Sequence, residues 1–563
     1  MSELRPTYSR QDTADVKVAP EDTTSSADQK LDPSSLADEE AAHPAPLDSG
    51  SSSCSPSSAS LRNALLVSPG GRDHDDAEED SKWTTTRPEL WSFYAYYVGN
   101  SGLSLYNFAP IALQNLLTLA ATSPTPDDTP RLRFAGSDRT VNSIVLLLNG
   151  ISFAVQAFLF LTVGSAADFG RGRPYILIVS TTISVAVGFA WLGVTHPSQW
   201  MTAAGLYVVG LVGYQISLTF WTSAFVGLAR NLPSVRASAS KLVRGETSAE
   251  AHVSLDVMER NRISNVAFFV CSVGELFVLA VIQGMLVGVG ANRDTETNTR
   301  ALTYVIAFAS GVWALVALPW FFLEKHRPGL KMPEGMNILT AGVINAWQAL
   351  RNLWTLKQSL LYLVFFFLMS DALNTTITQI SIVQATLISY SSTTSNLLLI
   401  VGIAAQAVGI GSFWLVQRRF QWHTFTLLRI VCVFIVLLTA WGMVGNWTSR
   451  FGFRNKYETW LYQALYGILV CPWFSVSQTA ISEVAPKGLE FQFFCLLNLS
   501  GKSASFIGPF VTSAISNRQG ATESTPFYFL FALALFSCGF LVPLDGRKAR
   551  LEQKTFLDRR ARM

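Results

Sequence analysis

Glu275 in VCSVGELFVLAVI, Asp371 in FFFLMSDALNTTI and Lys502 in LLNLSGKSASFIGPF are ionisable side chains in the middle of long apolar runs. A charge at the centre of a bilayer costs on the order of 2.5 to 3.5 kcal/mol on insertion scales, so such residues face a protein interior or a wet cavity and mark a substrate or proton path. A carboxyl there can carry a proton, and an ammonium can attract a carboxylate. The plainer alternatives are a static Asp371–Lys502 pair that only fixes helix packing, and a protonated Glu275 hydrogen-bonded to a neighbour near Gln283.

Around these charges lie polar residues at helical spacing. Asp371, Asn374, Thr375, Thr378 and Gln379 recur at i, i+3, i+4, i+7 and i+8, one continuous stripe on a helix. Asn498, Lys502 and Ser505 form a second stripe. Asn100, Ser104, Asn107 and Gln114 form a third, and Gln215, Thr219 and Thr222 a fourth. A lipid-facing stripe of this kind is untenable, so all four point toward a shared cavity, with Asn100, Asn374, Gln379, Asn498 and Lys502 as candidate substrate contacts.

The elements that must position them are membrane helices. Apolar residues make up 49% of the 563-residue chain and charged residues 14%, with a mean hydropathy of +0.30. That balance fits an all-α polytopic membrane protein. Twelve stretches are long enough for a bilayer of about 30 Å, starting near Trp91, Val141, Tyr175, Met201, Ile263, Ala301, Ser359, Ser395, Phe425, Trp460, Gln492 and Pro526. Residues 1–86 form a polar tail expected to be disordered; its first 80 residues hold 17 Asp and Glu against 6 Lys and Arg. Residues 87–323 and 359–545 then give six spans each, joined by a basic linker, 324–358, whose AWQALRNLW segment could lie on the membrane. A basic tail, 546–563, ends the chain. Lys and Arg concentrate in the loops that share a side with both termini, which places those termini in the cytoplasm.

Six plus six spans with a long middle loop resemble the major facilitator superfamily, whose fold is two six-helix bundles around a midplane site. Between the second and third spans, Gly164-Ser-Ala-Ala-Asp168-Phe-Gly170-Arg171-Gly-Arg173-Pro174 is similar to that superfamily's G-x-x-x-D-x-x-G-R-R gating latch, one residue shorter between Asp and Gly. Gly164 allows close helix approach, Asp168 can cap the next span, and Arg171 and Arg173 hold the cytoplasmic edge. A plain basic turn is the alternative reading. No nucleotide loop, zinc spacing, CxxC or Ser/His/Asp constellation occurs. The sequence thus calls for no metal, cofactor or nucleic-acid partner and gives no sign of an enzyme.

The segments SLLYLVFFFLMSDALNTTITQ and ISEVAPKGLEFQFFCLLNLSGKSASFIGPF resemble the autophagy-related protein 22 family, fungal major facilitator proteins of the vacuolar membrane. The resemblance covers residues 88–545. It implies release of neutral, leucine-like amino acids from vacuole to cytosol after autophagic degradation. The first span departs from the pattern, with Gly99-Asn100-Ser101-Gly102 where better-known members tend to carry an acidic residue and a proline. The expected partners are an amino-acid substrate, the lipid bilayer and, through Asp371 or Glu275, protons. The alternatives are a facilitator for another small polar solute and a non-transporting receptor or scaffold.

Overall fold

The computed structural model describes residues 82–121, 131–134, 136–167, 172–327, 351, 354, 356–387, 392–448, 450–486, 490–504, 507–516 and 524–561. The acidic tail before Lys82 and most of the 324–358 linker, including most of AWQALRNLW, lie outside them.

In the first half the helices are α1 (Arg87–Gly99), α2 (Ala109–Ala120), α3 (Val141–Ala167), α4 (Arg173–Ala190), α5 (Trp200–Arg230), α6 (Pro233–Arg244), α7 (Ala249–Val289) and α8 (Thr295–Leu323). The second half holds α9 (Lys357–Leu387), α10 (Ser392–Phe420), α11 (Thr424–Val444), α12 (Lys456–Leu465), α13 (Pro472–Val484), α14 (Glu490–Ala504), α15 (Ile507–Ser516), α16 (Pro526–Leu541) and α17 (Gly546–Ala561). Against the all-α expectation, a short antiparallel hairpin pairs Arg131–Phe134 with Ser137–Thr140 before α3. There Phe134 packs edge-on to Trp200 at 6.0 Å.

A helix stands at each of the twelve expected starts. Eight helices among the described residues are long and apolar enough to cross a membrane; α16 and α17, bent by 63°, make a ninth if taken as one span. The described residues therefore support eight or nine spans and leave the count of twelve an expectation. The first expected span breaks between α1 and α2.

Local chemistry explains the first break. Thr86 caps α1 by accepting the Glu89 N–H, and Pro88 suits the first turn. Asn100 ends the helix and Gly102 takes φ 98°, a left-handed conformation that other L-residues rarely adopt. A π-helical turn, Leu103–Phe108, then leads into α2. A second π-helical turn, Tyr466–Val470, interrupts the helix between α12 and α13. Such irregularities are frequent at functional sites, and membrane helices tolerate them only where protein or a cavity covers the backbone.

Packing follows the chain halves. Helix α1 lies against α7 and α8, α4 against α5, and α9 and α11 against α16. Two sets of contacts join the halves: α7 against α10 and α13, and α14 against α3 and α5. The outward side chains are apolar, with Phe322, Phe277 and Leu315 among the most exposed, as a lipid surround requires.

Candidate functional site

The break in α1 brings the first group of residues together. Asn100 is fully buried; its Oδ1 accepts from Ser217 of α5 at 3.3 Å, and its Nδ2 has no partner among the described residues. A Cβ at Gly102 would stand 2.7 Å from the Tyr214 hydroxyl, so glycine is required there by space as well as by φ. One turn before the break, the Tyr97 ring stacks on Trp221 at 4.1 Å, and Phe268 of α7 meets it edge-on at 4.9 Å.

Helix α7 runs alongside. Cys271 donates its thiol to the Tyr97 carbonyl at 3.4 Å, and a Cβ at Gly274 would fall 2.6 Å from Val98. Glu275, one turn beyond Cys271, is therefore abreast of the Asn100–Gly102 break. It is 5% exposed and, among the described residues, has neither a hydrogen bond nor an ion pair. Gln283, further along the same helix, accepts from Asn396 at 2.7 Å.

On α9 the stripe is present but differently employed. Asp371 is buried and accepts the Gly508 N–H at 2.9 Å and the Thr375 hydroxyl at 3.3 Å. It thus holds the first turn of α15. Gln379 is buried, Asn374 half-buried, and Thr378 exposed with its hydroxyl on the Asn374 carbonyl. On α14, Asn498 donates to the Phe494 carbonyl at 2.9 Å. Lys502 stands on the same helix, but its side chain lies outside the described residues, so the Asp371–Lys502 pairing is not part of the described geometry. In the other stripes Gln215, Thr219 and Thr222 are buried, and Ser104 bonds Ser310 at 2.6 Å.

Of the latch, Asp168, Gly170 and Arg171 lie outside the described residues. Gly164 is within α3, and Arg173 opens α4 and ion-pairs with Glu324. The N-cap position of α4 is Gly172, with no side-chain cap.

Sequence reasoning passed over two features. One is a buried polar seam between the halves at the basic end. Arg260 of α7 donates to the Ser482 carbonyl of α13 at 2.9 Å and ion-pairs with Asp256. Asn261 donates to Thr424 at 2.9 Å, Ser264 to the Ser475 carbonyl at 3.2 Å, and Asn265 to Gln417 at 3.3 Å and accepts from Ser475. Just beside it, Phe225 meets Phe494 edge-on at 5.8 Å. The signal was Arg260-Asn261-Arg262-Ile263-Ser264-Asn265, polar residues at i, i+4 and i+5 leading into an apolar run. The second is an aromatic repeat. Phe93, Tyr96 and Tyr97 surround Trp221, and at the same spacing Phe365 and Phe366 stand beside Trp473, Phe366 stacked on it at 5.7 Å, while Tyr362 packs on the two phenylalanines. The pattern aromatic-x-x-aromatic-aromatic recurs in both halves of the sequence.

Residues 85–554 match the family profile described as vacuole effluxer Atg22 like. Among similar proteins is Autophagy-related protein 22 of Coccidioides immitis, 22% identical over 74% of this chain and 75% of that one. Autophagy-related protein 22 of Gibberella zeae is 23% identical over 83% and 81%. Among solved structures, the major facilitator proton:xylose symporter XylE is superposed with a TM-score of 0.56 at 11% identity, over 84% of this chain and 98% of that one. That likeness shows the fold and nothing of the substrate.

Proposed function

We propose, from the premise that the chain belongs to the vacuole effluxer Atg22-like family and has a major facilitator fold, that it exports neutral, leucine-like amino acids from the vacuole to the cytosol by alternating access. In this reading twelve spans form two six-helix bundles, both termini are cytoplasmic, and the basic end carrying the seam faces the cytosol. The observation that carries it is the break after α1, where Asn100 Nδ2 and Ser101 Oγ, without partners among the described residues, sit beside the aromatic wall of Tyr97 and Trp221. Discontinuous helices in transporters place their binding sites at such points.

Lys502 attracts the substrate carboxylate, and Asn100, Asn374, Gln379 and Asn498 supply hydrogen bonds. Asp371 is the proton carrier. Its carboxylate clasps Gly508, so protonation weakens the acceptor that joins α9 to α15 and links proton loading to helix movement.

Uptake into reconstituted vesicles, with a panel of amino acids and with or without a pH gradient, tests the reading. Leucine and isoleucine should be moved, faster with the gradient. Asp371→Asn should move leucine without responding to it. Flux of sugars or organic cations with none of amino acids would favour another solute, and no flux of any kind would favour a receptor or scaffold.

A further inference from the structure

We infer that Glu275, and not Asp371, is the group that meets the substrate's ammonium, with the Tyr97–Trp221 stack as the wall for its apolar side chain. The inference rests on the amino-acid reading above and assigns that reading's acidic partner.

The two intramembrane carboxylates differ in what already holds them. Asp371 already accepts the backbone N–H of Gly508 on α15 and the hydroxyl of Thr375 on its own helix. Glu275 is more than nine-tenths buried and holds neither a hydrogen bond nor an ion pair among the described residues. A buried charge is costly unless it is paired, so a carboxylate kept free at this depth is suited to a cation that comes and goes.

Its surroundings supply the rest of a site. The Cys271 and Gly274 contacts set Glu275 level with the α1 break, where Asn100 Nδ2 lacks an acceptor among the described residues. A donor without an acceptor and an acceptor without a donor, on adjoining helices, complement the two ends of a zwitterion. Tyr97 stands one turn away, half-buried, and its ring is fixed between Trp221 and Phe268. The second half repeats the aromatic stack at Phe366 and Trp473, yet its carboxylate is engaged by Gly508. The free acidic group therefore belongs to the first half, and the polar end of the substrate lies there.

Competition against leucine flux in proteoliposomes tests this, with N-acetyl-leucine, alanine and isoamylamine, a leucine analogue that keeps only the ammonium. Wild type should discriminate leucine from N-acetyl-leucine about tenfold or more, since the acetylated nitrogen leaves the carboxylate unpaired. Glu275→Gln should bring that ratio near unity and abolish competition by isoamylamine, whereas Asp371→Asn should keep both. Tyr97→Ala should lower the preference for leucine over alanine about tenfold. Trp91→Ala, on the exposed side of α1, should change neither.

Should Glu275→Gln fail to fold, as judged by size-exclusion profile, Glu275→Asp with a lowered amine affinity provides the same reading. Loss of amine discrimination in Asp371→Asn but not in Glu275→Gln overturns the inference. If wild type moves no amino acid, calorimetric titration of isoamylamine separates the cases. Binding lost in Glu275→Gln keeps the cation site and discards the amino-acid reading; no binding to wild type discards both.

Discussion

The Asp371 carboxylate of α9 accepts the backbone N–H of Gly508, in the first turn of α15, at 2.9 Å. The approach leaves no room for a side chain: a Cβ at position 508 would fall 2.6 Å from Asp371 Oδ1 and closer still to Thr375. Gly508→Ala should therefore destabilise the folded protein by about 1 to 3 kcal/mol, as overpacking does. Asp371→Asn keeps an acceptor oxygen in place and should cost less. Thermal midpoints in detergent compare the two variants directly. A Gly508→Ala protein as stable as wild type would mean the clasp is loose.

In the proposed transport cycle the seam at the basic end acts as the cytosolic gate, and few groups hold it. Arg260 joins α7 to α13 through the Ser482 carbonyl while its other side pairs with Asp256. Arg260→Met removes the hydrogen bond to the buried Ser482 carbonyl and the ion pair with Asp256, worth about 1 to 3 kcal/mol against the closed state. Because about 1.4 kcal/mol is tenfold in a population, the variant should spend far more time open on that side. Spin-label distances between the basic ends of α7 and α13 should lengthen in Arg260→Met. An unchanged distribution would assign the seam to static packing.

The legible parts were those set by one-dimensional pattern. Apolar runs marked where helices stand, and polar stripes at i, i+3 and i+4 marked Asn100, Asp371 and Gln379 as inward. Which carboxylate is engaged was not legible, because the Asp371 partner is a backbone N–H 137 residues away. A backbone group leaves no trace in residue type. Likewise the Arg173–Glu324 ion pair spans 151 residues, and nothing local to either end names the other. The break at Asn100–Gly102 shows how local and tertiary causes combine. Two glycines hint at it, but the need for Gly102 comes equally from the Tyr214 hydroxyl on α5.

Glu89, fully buried in α1, receives both ends of the Arg327 guanidinium, at 2.7 and 2.9 Å, and the Lys325 N–H at 3.1 Å. The same Arg327 reaches Thr85, while Lys325 caps the Lys82 and Thr84 carbonyls at 2.8 and 2.7 Å. The start of the linker is thus tied to the segment that precedes the first span. Removing one partner of a buried pair strands the other, so Glu89→Ala should cost about 3 to 5 kcal/mol. Because the pair is shielded from solvent, the loss should change little between low and high salt. Expression level and thermal midpoint at both ionic strengths provide the check. A salt-sensitive, small effect would mean that water reaches the pair.

At the far end from the seam, Asp294 caps α8. Its Oδ1 accepts the Thr297 N–H at 2.7 Å and its Oδ2 the Thr297 hydroxyl at 3.0 Å. The backbone N–H foremost, then the hydroxyl, hold the carboxyl below its usual range, because both bonds favour the charged form. A depressed carboxyl stabilises the fold above its unfolded value, and the gain is lost as pH falls through the folded one. An ordinary Asp titrates near about 3.9. In the proposed orientation this cap faces an acidic lumen, so it should remain ionised there. The difference in thermal midpoint between wild type and Asp294→Ala should accordingly be the same at about pH 7.5 and about pH 5. It should shrink only in stronger acid, while Asp294→Asn, a neutral cap, should show no such decline. A difference that fades already between about pH 7.5 and about pH 5 would contradict the depressed carboxyl, and with it a cap built to withstand the lumen.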